Sequence, residues 1–359
     1  MTFFEQDSRN ALESKQHAQW IAFGPSVFQA ARSLRDNGTL REIARAGEDG
    51  VDFETLAARV DVPRYGLRVL LEAGLGIGLL TRREGRFRTT RTAWFLLHDP
   101  LTRANMDFTH DVSYLGLFSL DESVRSGRPE GLKNFGGWDT IYEGVGQLPV
   151  AARDAWLNFV HFYSDVTFDA ALPLVFERKP KRLMDVGGNT GRFARRCLAH
   201  DDEVRVTIAD LAGALDMARA DLPEPIATGR LRLEPVDLLS SSLLLPREHD
   251  AIWMSQLLDC FAESEILAIL QRCHEALSPG GRVYILEPFW DRQRFQSAAF
   301  CLQQTSLYFT AIANGRGQMY ESTLFLEIVR RAGFEIERQH DHLGVSHTLL
   351  VCRRAGDTG

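Results

Sequence analysis

No two of the five cysteines (Cys197, Cys260, Cys273, Cys301 and Cys352) are spaced as C-x-x-C, so the chain has neither the ligand spacing of a zinc knuckle nor a disulfide framework. A reducing compartment suits it, and no metal site is expected. Also lacking is any apolar run near the ~18 residues that span a bilayer. The start, MTFFEQDSRN, carries acids in place of an apolar signal core. A surplus of positive charge is missing too: 41 Lys and Arg stand against 48 Asp and Glu, a formal net charge of −7. Such a balance repels nucleic-acid phosphates and anionic lipid at long range. A cytoplasmic protein with no nucleic-acid and no membrane partner is expected. What is present is ordinary globular material, 45% hydrophobic and 25% charged over 359 residues, enough for two domains at roughly 150 residues each.

Residues 1–107 read as short helices joined by tight turns. Leu56, Ala57, Val60, Leu67, Val69, Leu70 and Leu71 recur near helical spacing, and Glu84-Gly85 separates two short β-prone runs. The pattern is a helix-turn-helix followed by a hairpin, a winged helix. Its wing carries Arg82, Arg83, Arg86, Arg88 and Arg91, the chief basic cluster. The stretch Pro63-Arg64-Tyr65-Gly66 offers little for base reading, so an interaction module is expected rather than a DNA reader.

Residues 108–180 look like longer helices and form a linker with pocket-lining aromatics. From 181 to 359 the period changes. KRLMDV, VRVTIAD, RLRLEPVD, DAIWMS and RVYILEP are short apolar runs separated by helix-like stretches, which predicts an α/β domain with a mostly parallel, doubly wound sheet. FEIERQ and SHTLLVCRR, close together, are expected to pair antiparallel.

The first of these runs leads into Asp185-Val-Gly187-Gly188-Asn189-Thr190-Gly191, placed where nucleotide-like ligands bind such sheets. Counting from Gly187, the third position is Asn189, so the dinucleotide pattern G-x-G-x-x-G fails, and no Lys follows for a phosphate loop. Asp185 would repel a pyrophosphate but suits a cationic ligand. Asp210 ends the second run, where a carboxylate accepts ribose hydroxyls, and Asp237 follows the third, within reach of an adenine amino group. Three acids and a glycine loop together favour S-adenosylmethionine.

With those motifs in order, the segment from about 20 to 354 resembles the small-molecule O-methyltransferases of plants and bacteria, the family of caffeate, hydroxyindole, phenazine and anthracycline methyltransferases. DVGGNTG stands for its Asp-Val-Gly-Gly-Gly-x-Gly, Asp210-Leu211 for its Asp-Leu-Pro, and Asp237-Leu238 for its Asp-Met. SPGGRVYILEP leads to its acidic residue at Glu287. The resemblance implies a class I methyltransferase fold of seven strands, a winged-helix dimerisation domain and hence a homodimer, and S-adenosylmethionine held by Asp185, Gly187, Gly188, Gly191, Asp210, Leu211, Asp237, Leu238 and Ser255. It implies a small aromatic, phenolic acceptor in secondary metabolism.

One departure matters most. Where the family reads Leu-His-Asp-Trp, with the His as general base, this chain reads Leu258-Asp259-Cys260-Phe261, and the second orienting acid becomes Met319. A phenol has a pKa near 10 and an Asp about 3.9, so Asp259 needs burial and the nearby Glu287 to raise it before it can serve as base. Asp259 is otherwise an N-cap for the helix starting at Glu263. His161, in FVHFYSD, is the imidazole that would substitute if it lines the pocket. Tyr163, Phe300, Gln304 and Tyr308 suggest an aromatic pocket with polar edges, and Asn314 matches a family pocket residue. O-methylation and ring C-methylation both fit. So does a protein of this fold that binds the cofactor without transferring methyl, and, further off, a DNA-binding regulator.

Overall fold

The computed structural model describes residues 3–357. It divides into a unit spanning Phe4–His110 and one from Asp111 onward. The boundary falls three residues beyond the expected 107. The stretch 108–180 is not a separate body: from Asp111 it packs with the C-terminal unit, because its aromatic face is needed to cover the sheet.

In the N-terminal unit the strands β1 (Val51–Asp52), β2 (Leu80–Arg83) and β3 (Arg86–Thr89) form an antiparallel sheet in the order β1-β3-β2. The helices Gly24–Asp36, Thr39–Arg45 and Arg64–Gly76 bury Leu34, Leu40, Ile43, Leu67 and Leu71 against Leu80 and Phe87. The wing is fastened to its own unit. Arg86 donates to the carbonyls of Asp49 (2.7 Å) and Gly50 (2.8 Å), Arg88 to that of Glu48 (2.5 Å), and the Arg82 guanidinium lies 5.5 Å from the Phe87 ring centroid. Much of the basic cluster is therefore occupied by backbone carbonyls and an aromatic face. The helix Ala11–Ala22 buries no residue, and Trp20, Val27, Ile77 and Phe95 border an apolar hollow of about 420 Å³.

The C-terminal unit holds β4 (Arg182–Val186), β5 (Arg205–Asp210), β6 (Leu231–Pro235), β7 (His249–Ser255), β8 (Leu277–Pro288), β9 (Phe334–Leu343) and β10 (His347–Arg354). Their order is β6-β5-β4-β7-β8-β10-β9, with β10 antiparallel to both neighbours and the first five parallel, as expected. Residues 183–186 of β4 and 281–288 of β8 are buried throughout because a parallel sheet is covered on both faces. On one face Leu183, Trp253 and Tyr284 meet Phe168 and Val175 of the helix Val150–Phe176 and Phe193 of the helix Arg192–His200. On the other Met184, Ile252 and Val283 meet the helices Glu263–Ala276 and Ser322–Arg331. Both layers leave the carboxyl ends of β4, β5, β7 and β8 at one edge, where the acids identified in the sequence gather. No helix among the described residues is long and apolar enough to cross a membrane.

Candidate functional site

Asp185 sits on β4 just before the glycine loop, 2% exposed, with its Oδ2 unpartnered. Burial, with Asp210 adding its charge, pushes the Asp185 carboxyl up to about 7. Two glycines make the loop possible. Gly187 has φ +72°, and a Cβ there would lie 2.6 Å from the Leu257 side chain; a Cβ on Gly188 would lie 2.7 Å from Asp185 Oδ2. Asn189, where the family motif has glycine, adopts φ +49°, a conformation Asn tolerates better than most residues. Its amide donates to Asp210 Oδ2 at 2.8 Å, and the Leu211 amide donates to Oδ1 at 2.7 Å. Asp210 thus fastens the loop. It too is raised by burial, which the two amides oppose. Gly191 opens the helix Arg192–His200.

The other expected cofactor residues divide. Asp237 is exposed, and its Oδ1 accepts the Leu239 amide at 2.9 Å; Leu211 is exposed beside Asp210. Ser255 ends β7 with a buried, unpartnered hydroxyl oxygen. Leu238 is mostly buried: its side chain packs with Met254 and Leu258, and its carbonyl accepts from Arg272 at 2.7 Å. The unpartnered Asp185 oxygen, the glycine cradle and two under-compensated carboxyls fit a ligand bringing positive charge and hydroxyl donors, as S-adenosylmethionine does.

Leu257, which covers Gly187, belongs to the loop after β7. Gln256 takes φ +49°, and the amides of Leu257 and Leu258 then donate to Glu287 Oε1 at 3.0 and 2.8 Å. Asp259 follows in a 3-10 turn, 4% exposed, and receives the Cys260 thiol at 3.4 Å. Burial pushes both carboxyls above the usual range, and the Asp259 charge raises Glu287 further. The N-cap reading of Asp259 falls. Glu265 satisfies the helix start by accepting the Ala262 amide at 2.9 Å.

His161 lies half-buried on the long helix, and its electrostatic neighbours are Arg192 and Asp165, not Asp259 or Glu287; burial, with Arg192, keeps it neutral. Arg192 pairs with Asp165. The imidazole therefore stands toward the start of the helix after the glycine loop. Tyr308 is buried and accepts Trp156 Nε1 at 2.7 Å, and its phenol is electrostatically coupled to Cys260 and Asp259. Tyr142 is coupled to the same group. Tyr163 is buried 5.0 Å from the Phe159 ring.

Of the other expected substrate residues, two face outward and one is tied to the loop of Cys260. Phe300 is 57% exposed and Gln304 exposed, because the helix Gln296–Tyr308 turns that face outward. Asn314 is a loop tie: its Nδ2 donates to the Cys260 carbonyl at 2.5 Å, and its Oδ1 accepts the amides of Arg316 and Gly317 at 3.0 and 2.9 Å. Trp156 and Tyr142 were not among the expected residues. The aromatic run WLNFVHFYS held a signal for Trp156, whereas Tyr142 lies in an irregular stretch whose pattern gives none.

An O-methyltransferase domain model matches residues 119–335 and a Dimerisation2-like domain model residues 15–87. The chain is 22% identical over 322 residues to the L-tyrosine C(3)-methyltransferase of Streptomyces lavendulae, covering 89% of this chain and 86% of that one. It is 26% identical over 316 residues to the 3-hydroxy-5-methyl-1-naphthoate 3-O-methyltransferase of Streptomyces sahachiroi, covering 87% of each. The crystal structure of the S-adenosylmethionine-dependent methyltransferase SibL in its apo form shares the fold at a TM-score of 0.71 and 23% identity, covering 94% of this chain and 98% of SibL.

Proposed function

The chain belongs to the O-methyltransferase domain family, and from that membership we propose that it methylates a small aromatic acceptor of secondary metabolism at a phenolic oxygen or a ring carbon. It is an S-adenosylmethionine-dependent methyltransferase. When bound, the cofactor supplies a methyl group on a sulfonium, an electrophile that needs no metal. Asp185 and Asp210 hold it at the glycine loop, with Asp237, Leu211 and Ser255 at the rim, and Asp210 fixes the loop by accepting two amides. Leu257 lies against that loop on one side and anchors its own amide to Glu287 on the other, so the cofactor end and the acceptor end share one wall.

Asp259 holds the proton-bearing group of the acceptor. The observation that carries this reading is the burial of Asp259 beside Glu287 with no charged partner among the described residues, which raises its carboxyl to about 7 and leaves it to be matched by a group of the acceptor. Placement in line with the methyl group supplies most of the rate, and a carbon acceptor needs its hydroxyl polarised rather than fully deprotonated. Incubation with S-adenosylmethionine and phenolic acceptors should form S-adenosylhomocysteine and a product heavier by one methylene. Binding of the cofactor without conversion on any acceptor would instead assign a non-methylating protein of this fold.

The N-terminal unit pairs two copies. Its Dimerisation2-like match, the exposed Ile21 and Phe23 and the hollow bordered by Trp20 and Phe95 support that reading. Light scattering should give twice the 40.4 kDa chain mass, and a monomer at micromolar concentration would refute it.

A further inference from the structure

One buried charge in this protein has a charged partner: Arg282, 1% exposed, pairs with Glu337 at 2.6 Å. The acceptor end, like Asp185 at the glycine loop, has none among the described residues. Asp259 and Glu287 are 4% and 2% exposed, and among the described residues no Lys, Arg or His pairs with either. Glu287 Oε1 is committed to two backbone amides, while Oε2 has no partner. The side-chain donor on Asp259 is the weak thiol of Cys260. Removing two carboxyls from water without a counter-charge is costly, so a pair kept in this state is complementary to a cation that arrives with a ligand. Aromatic groups stand around the same spot: Tyr142 and Tyr308 are within electrostatic reach of Asp259, and Trp156 holds the Tyr308 phenol. Phenol oxygens and aromatic rings in the neighbourhood of carboxylates suit an ammonium group. The cofactor's amino group is matched at the glycine loop by Asp185, and in S-adenosylhomocysteine the sulfur is a neutral thioether that brings no cation to the pair.

Resting on the methyltransferase reading above, we propose that the acceptor is an aromatic compound bearing a protonated amine, and that the Asp259–Glu287 pair is the anchor of that amine. The acceptor class is then amine-bearing phenols rather than neutral ones. The raised carboxyls add a consequence: they lean toward the neutral form while no cation is present, and an arriving ammonium ionises them, so binding releases protons to the buffer.

The test is calorimetry on the full chain saturated with S-adenosylhomocysteine, titrated with tyramine and with 4-ethylphenol, which lacks the ammonium group, in two buffers of different ionisation enthalpy. Tyramine should bind about tenfold tighter or more, with net proton release. Asp259→Asn should bring the two ligands to within about twofold, and Glu287→Gln makes the same comparison if Asp259→Asn no longer holds S-adenosylhomocysteine. Tyramine binding no tighter than 4-ethylphenol, or neither binding, in a protein that does hold S-adenosylhomocysteine overturns the proposal. Failure to bind S-adenosylhomocysteine at all overturns the methyltransferase reading instead.

Discussion

The two ends of the site are built alike, each from a pair of buried carboxyls, and they differ in what fills the remaining valences. At the glycine loop Asp210 accepts the amides of Asn189 and Leu211; at the acceptor end Glu287 accepts those of Leu257 and Leu258. In each pair one acid fastens a loop and the other is buried with no charged partner among the described residues. In the proposed reading the first end takes the cofactor and the second the acceptor, and the names of the relatives show that the acceptor differs from one to the next.

The largest expected effect lies at the acceptor end. Asp259→Asn keeps shape and removes the charge, and kcat/KM for the acceptor should fall by roughly 10²–10⁴ while the affinity for S-adenosylhomocysteine stays near that of the parent. Steady-state rates with calorimetry separate the two quantities. Equal turnover by the variant would erase the distinction between the ends.

Next comes a stability effect at the glycine loop. The Asp185 carboxyl is raised to about 7 in the folded chain from a usual value of 3.8, so the native state holds this proton more tightly than the unfolded state does. Its contribution is therefore most favourable below about pH 4 and is lost as pH climbs through 7. Asp185→Asn removes that titration, and the fall in unfolding free energy between pH 5 and pH 8 should shrink by about 2–3 kcal/mol. Thermal melts of the cofactor-free protein at the two pH values measure it. An unchanged pH dependence would mean that Asp185 ionises freely and that the loop stores no electrostatic cost for the cofactor to relieve.

Asp210→Ala tests the fastener. It frees two amides and removes an acceptor for ribose hydroxyls, and cofactor affinity should weaken by about 1–3 kcal/mol. Glu287→Ala, its counterpart, should leave cofactor affinity less affected and disturb the acceptor instead. Calorimetry on both variants decides whether the two fasteners serve separate ligands.

What the sequence made readable follows the same division. β4 with its glycine loop, Asp210 and the antiparallel β10 were legible because strand period, glycine and acid spacing are local. The surroundings of Asn314, Phe300 and Gln304 were not legible, because they depend on which way a helix turns and on which loop an amide meets. Neither is written in spacing. Asp259 was located by alignment with a family His, but its lack of a cation is a fact of three-dimensional packing. Trp156 reaches Tyr308 across 152 positions of chain, and no local pattern announces such a bond.

The smallest expected effect sharpens that last contrast. Gln304 faces outward on the helix Gln296–Tyr308, one turn from the buried Tyr308, so an alanine there removes no buried contact within its unit and raises intrinsic helix propensity slightly. Surface changes of this kind stay within about 0.5 kcal/mol, so kcat/KM should change by less than about threefold and the melting temperature hardly at all. Tyr308→Phe, by comparison, removes the acceptor of the Trp156 hydrogen bond and should cost more. A fall above about tenfold for Gln304→Ala would return that face of the helix to the pocket. Since nothing within its own unit buries Gln304, the contact would have to come from outside that unit, and a fall that appears only in the dimer would assign it to a second copy.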